Sequence, residues 1–270
     1  MPCSVLLPVY SGDDSGLLNE ALKSLAQQTM MPAEVILVND GPLTDLQEKM
    51  IHYHECQLPI RRCGNDSNQG LASALNLGLK HCSYKYVVRM DADDMCAPNR
   101  IERQLEFMYA NPEIDIAGSF AREVNRNGEL GATRRVPLEH AAIISMLWTC
   151  PLLHPTVIFR KQLIESLGGY DNSLRRRQDY ELWFRCARHG ATFANIPQVL
   201  LYYRFDWSML RKQTPRLAFQ QGRVGYRGAS ALGLAYWKRV ACFAPFLRSM
   251  LPGRFEHWAY QLMRRFGPRS

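Results

Sequence analysis

Met90-Asp91-Ala92-Asp93-Asp94 places three carboxylates in four positions directly after the apolar run Tyr86-Val87-Val88. Clustered like charges are costly unless a positive group sits among them. Asp91 and Asp93 are two residues apart, so at the end of a strand they share a face and offer oxygens to a hard dication. Mg²⁺ or Mn²⁺, which usually keeps phosphate oxygens among its ligands, suits such a pair. The competing reading is a solvated acidic turn leading to Pro98.

The elements around this cluster must place it. Ser4 to Pro8 reads as a buried strand, and Leu17 to Gln28 as an amphipathic helix started near Asp14-Ser15. A strand at Glu34 to Val38, a helix at Thr44 to His54, a short strand at Ile60 to Cys63 and a helix at Leu71 to Cys82 follow. Tyr86 to Met90 is the fourth strand; Pro98 opens a helix from Asn99 to Asn111, and a strand runs from Ile114 to Ser119. Alternating strand and helix predicts an α/β fold with a mostly parallel central sheet flanked by helices. Ligands of such sheets bind beyond the carboxyl ends of the strands, where Tyr10, Asn39-Asp40-Gly41 and the acidic cluster fall. Neither Gly-x-Gly-x-x-Gly after the first strand nor Gly-x-x-x-x-Gly-Lys-Ser/Thr occurs, which argues against a dinucleotide fold or a P-loop. Beyond Ser119 the pattern changes to a hairpin turning at Asn125-Arg126-Asn127-Gly128, and then to mixed elements.

Ala141 to Phe159 carries no acid, lysine or arginine, yet Pro151 and Pro155 break it and His154 sits inside. It reads as a buried helix at Glu139 to Leu147 and a core strand at Thr156 to Arg160, not as a membrane span. Eight scattered cysteines without a Cys-x-x-Cys pair, and no signal peptide, point to a reducing cytoplasm.

Charge divides the chain of 270 residues after Tyr203. From Arg204 onward 13 Lys and Arg stand against Asp206 and Glu256, whereas the first 203 residues carry 20 against 23 acids. The basic segment interleaves its cations with Trp207, Tyr226, Tyr236, Trp237, Phe243, Phe246, Phe255, Trp258, Tyr260 and Phe266. Such a mixture suits an anionic membrane surface, and a helical subdomain with inward-facing aromatics is the other reading. No nucleic-acid-binding motif accompanies the charge, so nucleic acid is not an expected partner. The expected division is 1–203 as the main domain, with halves 1–120 and 121–203, and 204–270 as a basic, aromatic, helical extension.

In order, Ser4-Val5-Leu6-Leu7-Pro8-Val9-Tyr10, Glu34 to Gly41, Asn68-Gln69-Gly70 through Asn76, Arg89 to Asp94, His154-Pro155-Thr156, Gly168-Gly169-Tyr170-Asp171 and Gln178-Asp179-Tyr180-Glu181-Leu182-Trp183 form a set. Taken together they make the chain resemble the family 2 inverting glycosyltransferases of bacterial exopolysaccharide and lipopolysaccharide biosynthesis, from Ser4 to about Arg185. The resemblance implies the nucleotide-sugar-binding glycosyltransferase A-type fold, with 1–120 binding the nucleotide and 121–203 the acceptor. It implies a base pocket lined by Pro8, Val9 and Tyr10, in which Asp40 accepts from the base imide. Uracil is favoured, although guanine or thymine offers a similar N–H.

Asn68 and Gly70 would lie near the nucleotide, or else start a helix. Asp93 would be the direct metal ligand, with Asp91 nearer the ribose or the metal. Asp179 would be the base that takes the acceptor's proton, with Glu181 as an understudy facing elsewhere on the helix. Arg89, His154 and Trp183 could touch phosphate or acceptor; the alternatives are an ion pair between Arg89 and Asp94, and core positions for the other two. The implied partners are a nucleotide-sugar donor, a glycan or lipid-linked oligosaccharide acceptor, and the inner face of the cell membrane, reached peripherally through the extension. Two other readings compete: a degenerate, non-catalytic partner in polysaccharide assembly, and an Asp-x-Asp Mg²⁺-dependent phosphatase, whose acidic pair would follow the first strand.

Overall fold

The computed structural model describes residues 1–205 and 214–250. Among the described residues nine strands form one sheet: β1 (Ser4–Val9), β2 (Glu34–Asp40), β3 (Ile60–Asn65), β4 (Tyr86–Arg89), β5 (Met95–Cys96), β6 (Ile116–Val124), β7 (Leu130–Arg134), β8 (Ile158–Arg160) and β9 (Phe193–Arg204). Their order is β3-β2-β1-β4-β8-β6-β9-β5, with β7 hydrogen-bonded to β6. The four strands from β3 to β4 are parallel, as the alternating pattern requires. Antiparallel β8 then joins β4 to β6, so the second half of the sheet is mixed.

Both faces of the parallel half are covered, which is why β1 is buried at every position. Leu6, Ile36, Val38 and Val87 point to one face, beneath α3 (Leu71–His81) and α7 (Gln178–Arg188). Val5, Leu7, Val35, Leu37 and Val88 point to the other, beneath α1 (Ser15–Ala26) and α4 (Arg100–Ala110). Each fully buried Val, Leu or Ile contributes about 1.5–3 kcal/mol. Caps fix the helices that follow the first two strands. Asp14 accepts from the backbone N–H groups of Gly16 and Leu17 to start α1, and Thr44 with Gln47 forms a capping box on α2 (Asp45–Glu55). On α3, a Cβ at Gly78 would lie 2.3 Å from Leu6 Cδ1, so this glycine lets the helix settle on the sheet.

The hairpin turn at 125–128 joins β6 to β7, with Gly128 at φ 82°. The helix expected over 139–147 shortens to α5 (His140–Ser145) and a 3₁₀ turn at Leu147–Thr149. The strand expected from Thr156 begins at Ile158, because His154–Thr156 forms a 3₁₀ turn in which the Thr156 hydroxyl donates to Leu153 O. The short β5 and α6 (Lys161–Ser166) carry too few residues to show a period in sequence.

The charge step after Tyr203 falls at the end of β9, whose last residue is Arg204. Helix α8 (Pro215–Ala231) packs on α7, with Gly225 against Tyr180; its buried residues are Ala218, Gly222, Gly225 and Ala229, and Gly222 faces Phe243. A Cβ at Gly228 would lie 2.2 Å from the Phe184 ring. Two short helices follow, α9 (Tyr236–Ala241) and α10 (Ala244–Ser249). Phe219, Tyr226, Phe243 and Phe246 pack on one another, whereas Tyr236 and Trp237 are 71% and 60% exposed. Trp207, Phe255, Trp258, Tyr260 and Phe266 lie outside the described residues. No described helix is long and apolar enough to cross a membrane.

Candidate functional site

At the carboxyl ends of β1, β2 and β4 the sheet opens into a crevice of about 380 Å³. Eight residues singled out from sequence line it: Pro8, Val9, Tyr10, Asp40, Asn68, Gly70, Asp91 and Asp93. Asp13, Leu71, Ala74, Ala92, Tyr203 and Arg204 complete the wall.

At one end Asp40 clasps the loop that leads into α3. Its Oδ1 accepts from Asn65 Nδ2 (2.9 Å) and Gln69 N (2.9 Å), and its Oδ2 from Gly70 N (2.8 Å). Three of a carboxylate's roughly four acceptor sites are thus used by the chain, leaving one for a ligand. Gly70, at φ 96°, is the N-cap of α3, and Asn68 makes no side-chain cap. A Cβ at Gly41 (φ 91°) would come within 2.8 Å of Asn68 N, so glycine is required where this loop crosses β2.

At the other end carboxylate oxygens of Asp91, Asp93 and Asp94 lie within 4.8 Å of one another. Burial, and then Asp91, pushes the Asp93 carboxyl up to about 6. Asp94, wholly buried, is pushed well above the ordinary range by burial and then by Asp93 and Asp91. Two buried arginines hold the cluster, Arg89 by its guanidinium and Arg204 by its backbone N–H. Arg89 Nη2 reaches Asp91 Oδ1 at 2.5 Å, so its partner is Asp91 and not Asp94. The Arg204 backbone N–H donates to Asp94 Oδ1 (2.7 Å), and its side chain to Asp93 O, Asn125 O and Glu20. Asp94 is therefore a buried brace, while Asp91 and Asp93 face the crevice. Closely spaced, partly desolvated carboxylate oxygens suit Mg²⁺ or Mn²⁺.

Arg89 connects this cluster to the second half of the chain. Its guanidinium influences both Tyr170 and His154. His154 Nε2 pairs with the Tyr170 hydroxyl at 3.0 Å, and its ring stands edge-on to Trp183. Burial, and then Arg89, holds the His154 imidazole well below its usual range, hence neutral. His154 and the fully buried Trp183 are core residues and do not line the crevice. Glu181 is spent on Arg185, which contacts both its oxygens. Asn76 grips the neighbouring loop, accepting from Tyr170 N and donating to Tyr170 O; Gly169 (φ 72°) leaves room for it.

Asp179, half-buried, occupies the second position of α7, where the helix dipole favours an anion. It stands outside the crevice, 3.9 Å from Cys150 Sγ, and both it and Asp91 act on the Tyr170 hydroxyl. The Asp-x-Asp pair follows β4 and not β1, which removes the phosphatase reading. All eight cysteines are free.

The sequence profile of glycosyl transferase family 2 matches residues 4–183. An uncharacterized glycosyltransferase of Haemophilus influenzae is 36% identical over 215 residues, covering 79% of each chain. The UDP-Gal:alpha-D-GlcNAc-diphosphoundecaprenol beta-1,3-galactosyltransferase of Escherichia coli is 32% identical over 268 residues, 97% of each chain. Among solved structures, S. aureus TarS 1-349 in complex with UDP superposes with a TM-score of 0.69 at 20% identity, covering 98% of this chain and 77% of that one. Mannosyltransferase PcManGT from Pyrobaculum calidifontis in complex with GDP-Man and Mn²⁺ gives 0.64 at 19%, covering 99% and 82%. These two likenesses show the fold.

The raised carboxyls have a consequence for stability. A folded-state pKa of about 6 at Asp93, against an ordinary 3.8, means that the folded chain holds a proton the unfolded chain has released. Stability present below the ordinary value is therefore lost as pH rises through about 6. In chelator, thermal unfolding should show Asp93→Asn melting above the wild type at about pH 8, with a flatter pH profile. A variant that melts lower would contradict the crowding of charge described here.

Proposed function

Because the chain belongs to glycosyl transferase family 2, and is a glycosyltransferase, we propose that it transfers a sugar from a UDP-sugar, with inversion, to a lipid-linked glycan in bacterial surface polysaccharide biosynthesis. The observation that carries this reading is the convergence of Asp40, Tyr10, Asp91 and Asp93, from three strand ends, on one crevice.

In this reading the last acceptor site of Asp40 takes the uracil imide, beside Pro8, Val9 and Tyr10. Asp91 and Asp93 hold Mn²⁺ or Mg²⁺, which supplies Lewis-acid stabilisation of the departing diphosphate. Asp179 accepts the proton of the acceptor hydroxyl on a carboxylate oxygen as that hydroxyl attacks the anomeric carbon. One base and one displacement suffice for inversion.

Support for a lipid-linked acceptor comes from the Escherichia coli relative, whose name specifies a diphosphoundecaprenol substrate and which aligns along 97% of the chain. The chain's own surface points the same way. Tyr236, Trp237, Leu247 and Met250 are exposed on and beside α9 and α10, within the basic segment. Rings and aliphatic groups among cations suit the interface of an anionic membrane, and they support the reading of a peripheral protein on its cytoplasmic face.

Asp179→Asn should lower kcat by about 10²–10⁴-fold while leaving UDP affinity unchanged; full turnover in the variant would remove Asp179 from the chemistry. Joint replacement of Tyr236 and Leu247 by Glu should release the protein from anionic vesicles in a flotation assay without changing UDP affinity. Equal flotation of variant and wild type would exclude this surface as the anchor.

A further inference from the structure

Strand order gives the crevice a direction. β1 lies between β2 and β4, so the loop after β1 must lie between Asp40 and the Asp91–Asp93 pair. A nucleoside diphosphate with its base at Asp40 and its phosphates at Asp91 and Asp93 sets its ribose over that loop, Tyr10 to Asp13. The carboxylate that the loop presents to the crevice is Asp13.

This carboxylate is rigidly placed and short of donors. Its Oδ2 accepts from Tyr10 N at 2.9 Å, and no other described group donates to the side chain. The turn is closed by Asp13 N donating to Tyr10 O. It is fastened from below by the fully buried Gln47, whose Nε2 donates to Tyr10 O (2.9 Å) and Asp13 O (2.8 Å). Gln47 is in turn fixed by its capping box with Thr44. Gly12 lies under the Tyr10 ring, where a Cβ would be 2.4 Å from Cε2. Asp13 is not among the acids grouped closely enough to share a metal ion. Burial, and then the Asp93 and Asp91 charges, push its carboxyl up to about 7 against the single hydrogen bond from Tyr10 N.

Building on the nucleotide pocket proposed above, we propose that Asp13 accepts hydrogen bonds from the ribose 2′- and 3′-hydroxyls and so selects ribonucleotide over 2′-deoxyribonucleotide donors. A carboxylate is acceptor-only, and a vicinal diol presents two O–H donors. Sites built around such bonds reject analogues lacking the hydroxyl, because the acceptor is then left unpaired. Asp91, the other carboxylate near this position, is already engaged by Arg89.

The test is calorimetric titration of the full chain with UDP and with 2′-deoxy-UDP in Mn²⁺, for the wild type, Asp13→Ala and Asp13→Asn. The wild type should prefer UDP by about tenfold or more. Asp13→Ala should bind both ligands with about the affinity that the wild type shows for 2′-deoxy-UDP. Asp13→Asn, which keeps an acceptor for Tyr10 N and hence the turn, should also lose most of the preference, and it decides the matter if the alanine variant fails to fold.

Equal weakening of both ligands would make Asp13 only a brace for Tyr10 and overturn the inference. Undiminished preference in both variants would place the hydroxyl contact elsewhere, with the same effect. A wild type that binds both ligands equally refutes the inference and leaves the proposed function standing. A wild type that binds neither removes the pocket reading and this inference with it.

Discussion

The structure turns on the electrostatic problem at the end of β4. Three carboxylates within 4.8 Å of one another repel by roughly 3 kcal/mol per ionised pair at an effective dielectric constant of about 20. The fold answers with two buried arginines from distant parts of the chain. Arg89, just before the turn, holds the Asp91 carboxylate; Arg204, at the end of β9, donates from its backbone N–H to the Asp94 carboxylate and from its side chain to the Asp93 main-chain carbonyl. Losing Asp91 would leave the buried Arg89 guanidinium uncompensated, so these two stand or fall together.

This constraint explains much of the second half of the chain. Arg89 sits at the junction between the parallel strands and β8, and its backbone carbonyl is held by Arg100, which also donates to Pro155 O and Gln104. On the side toward α7, the Arg89 guanidinium is followed by Tyr170, His154 and Trp183, which fix the helix whose first turn carries Asp179. The residues between the acidic cluster and α7 are thus buried and do not line the crevice.

Much of this was legible in the sequence where the signal was local. The runs at β1, β2 and β4 read as buried strands, the polar residues just after them converged as a doubly covered sheet demands, and Asp91 and Asp93 lie where their spacing put them. Asp13 was hidden because it adjoins the helix start read at Asp14-Ser15, and Asp14 does cap α1. Arg204 was hidden because its partners lie about a hundred residues earlier, and the basic composition around it suggested an appendage. The charge step falls at the end of β9, and α8 buries a stripe of small residues that leaves little trace in hydropathy. Histidine and tryptophan carry no local mark of burial, so the core positions of His154 and Trp183 needed the packed structure to be seen.

The most direct test of the account is the binding of UDP to purified protein with and without Mn²⁺, followed calorimetrically, in the wild type and in Asp93→Ala. The account predicts UDP binding that needs the cation and that the substitution abolishes, since the acidic cluster would then be the shared seat of metal and diphosphate. UDP binding of equal strength without the cation, or unaffected by loss of Asp93, would contradict it and leave the cluster a structural feature of the end of β4.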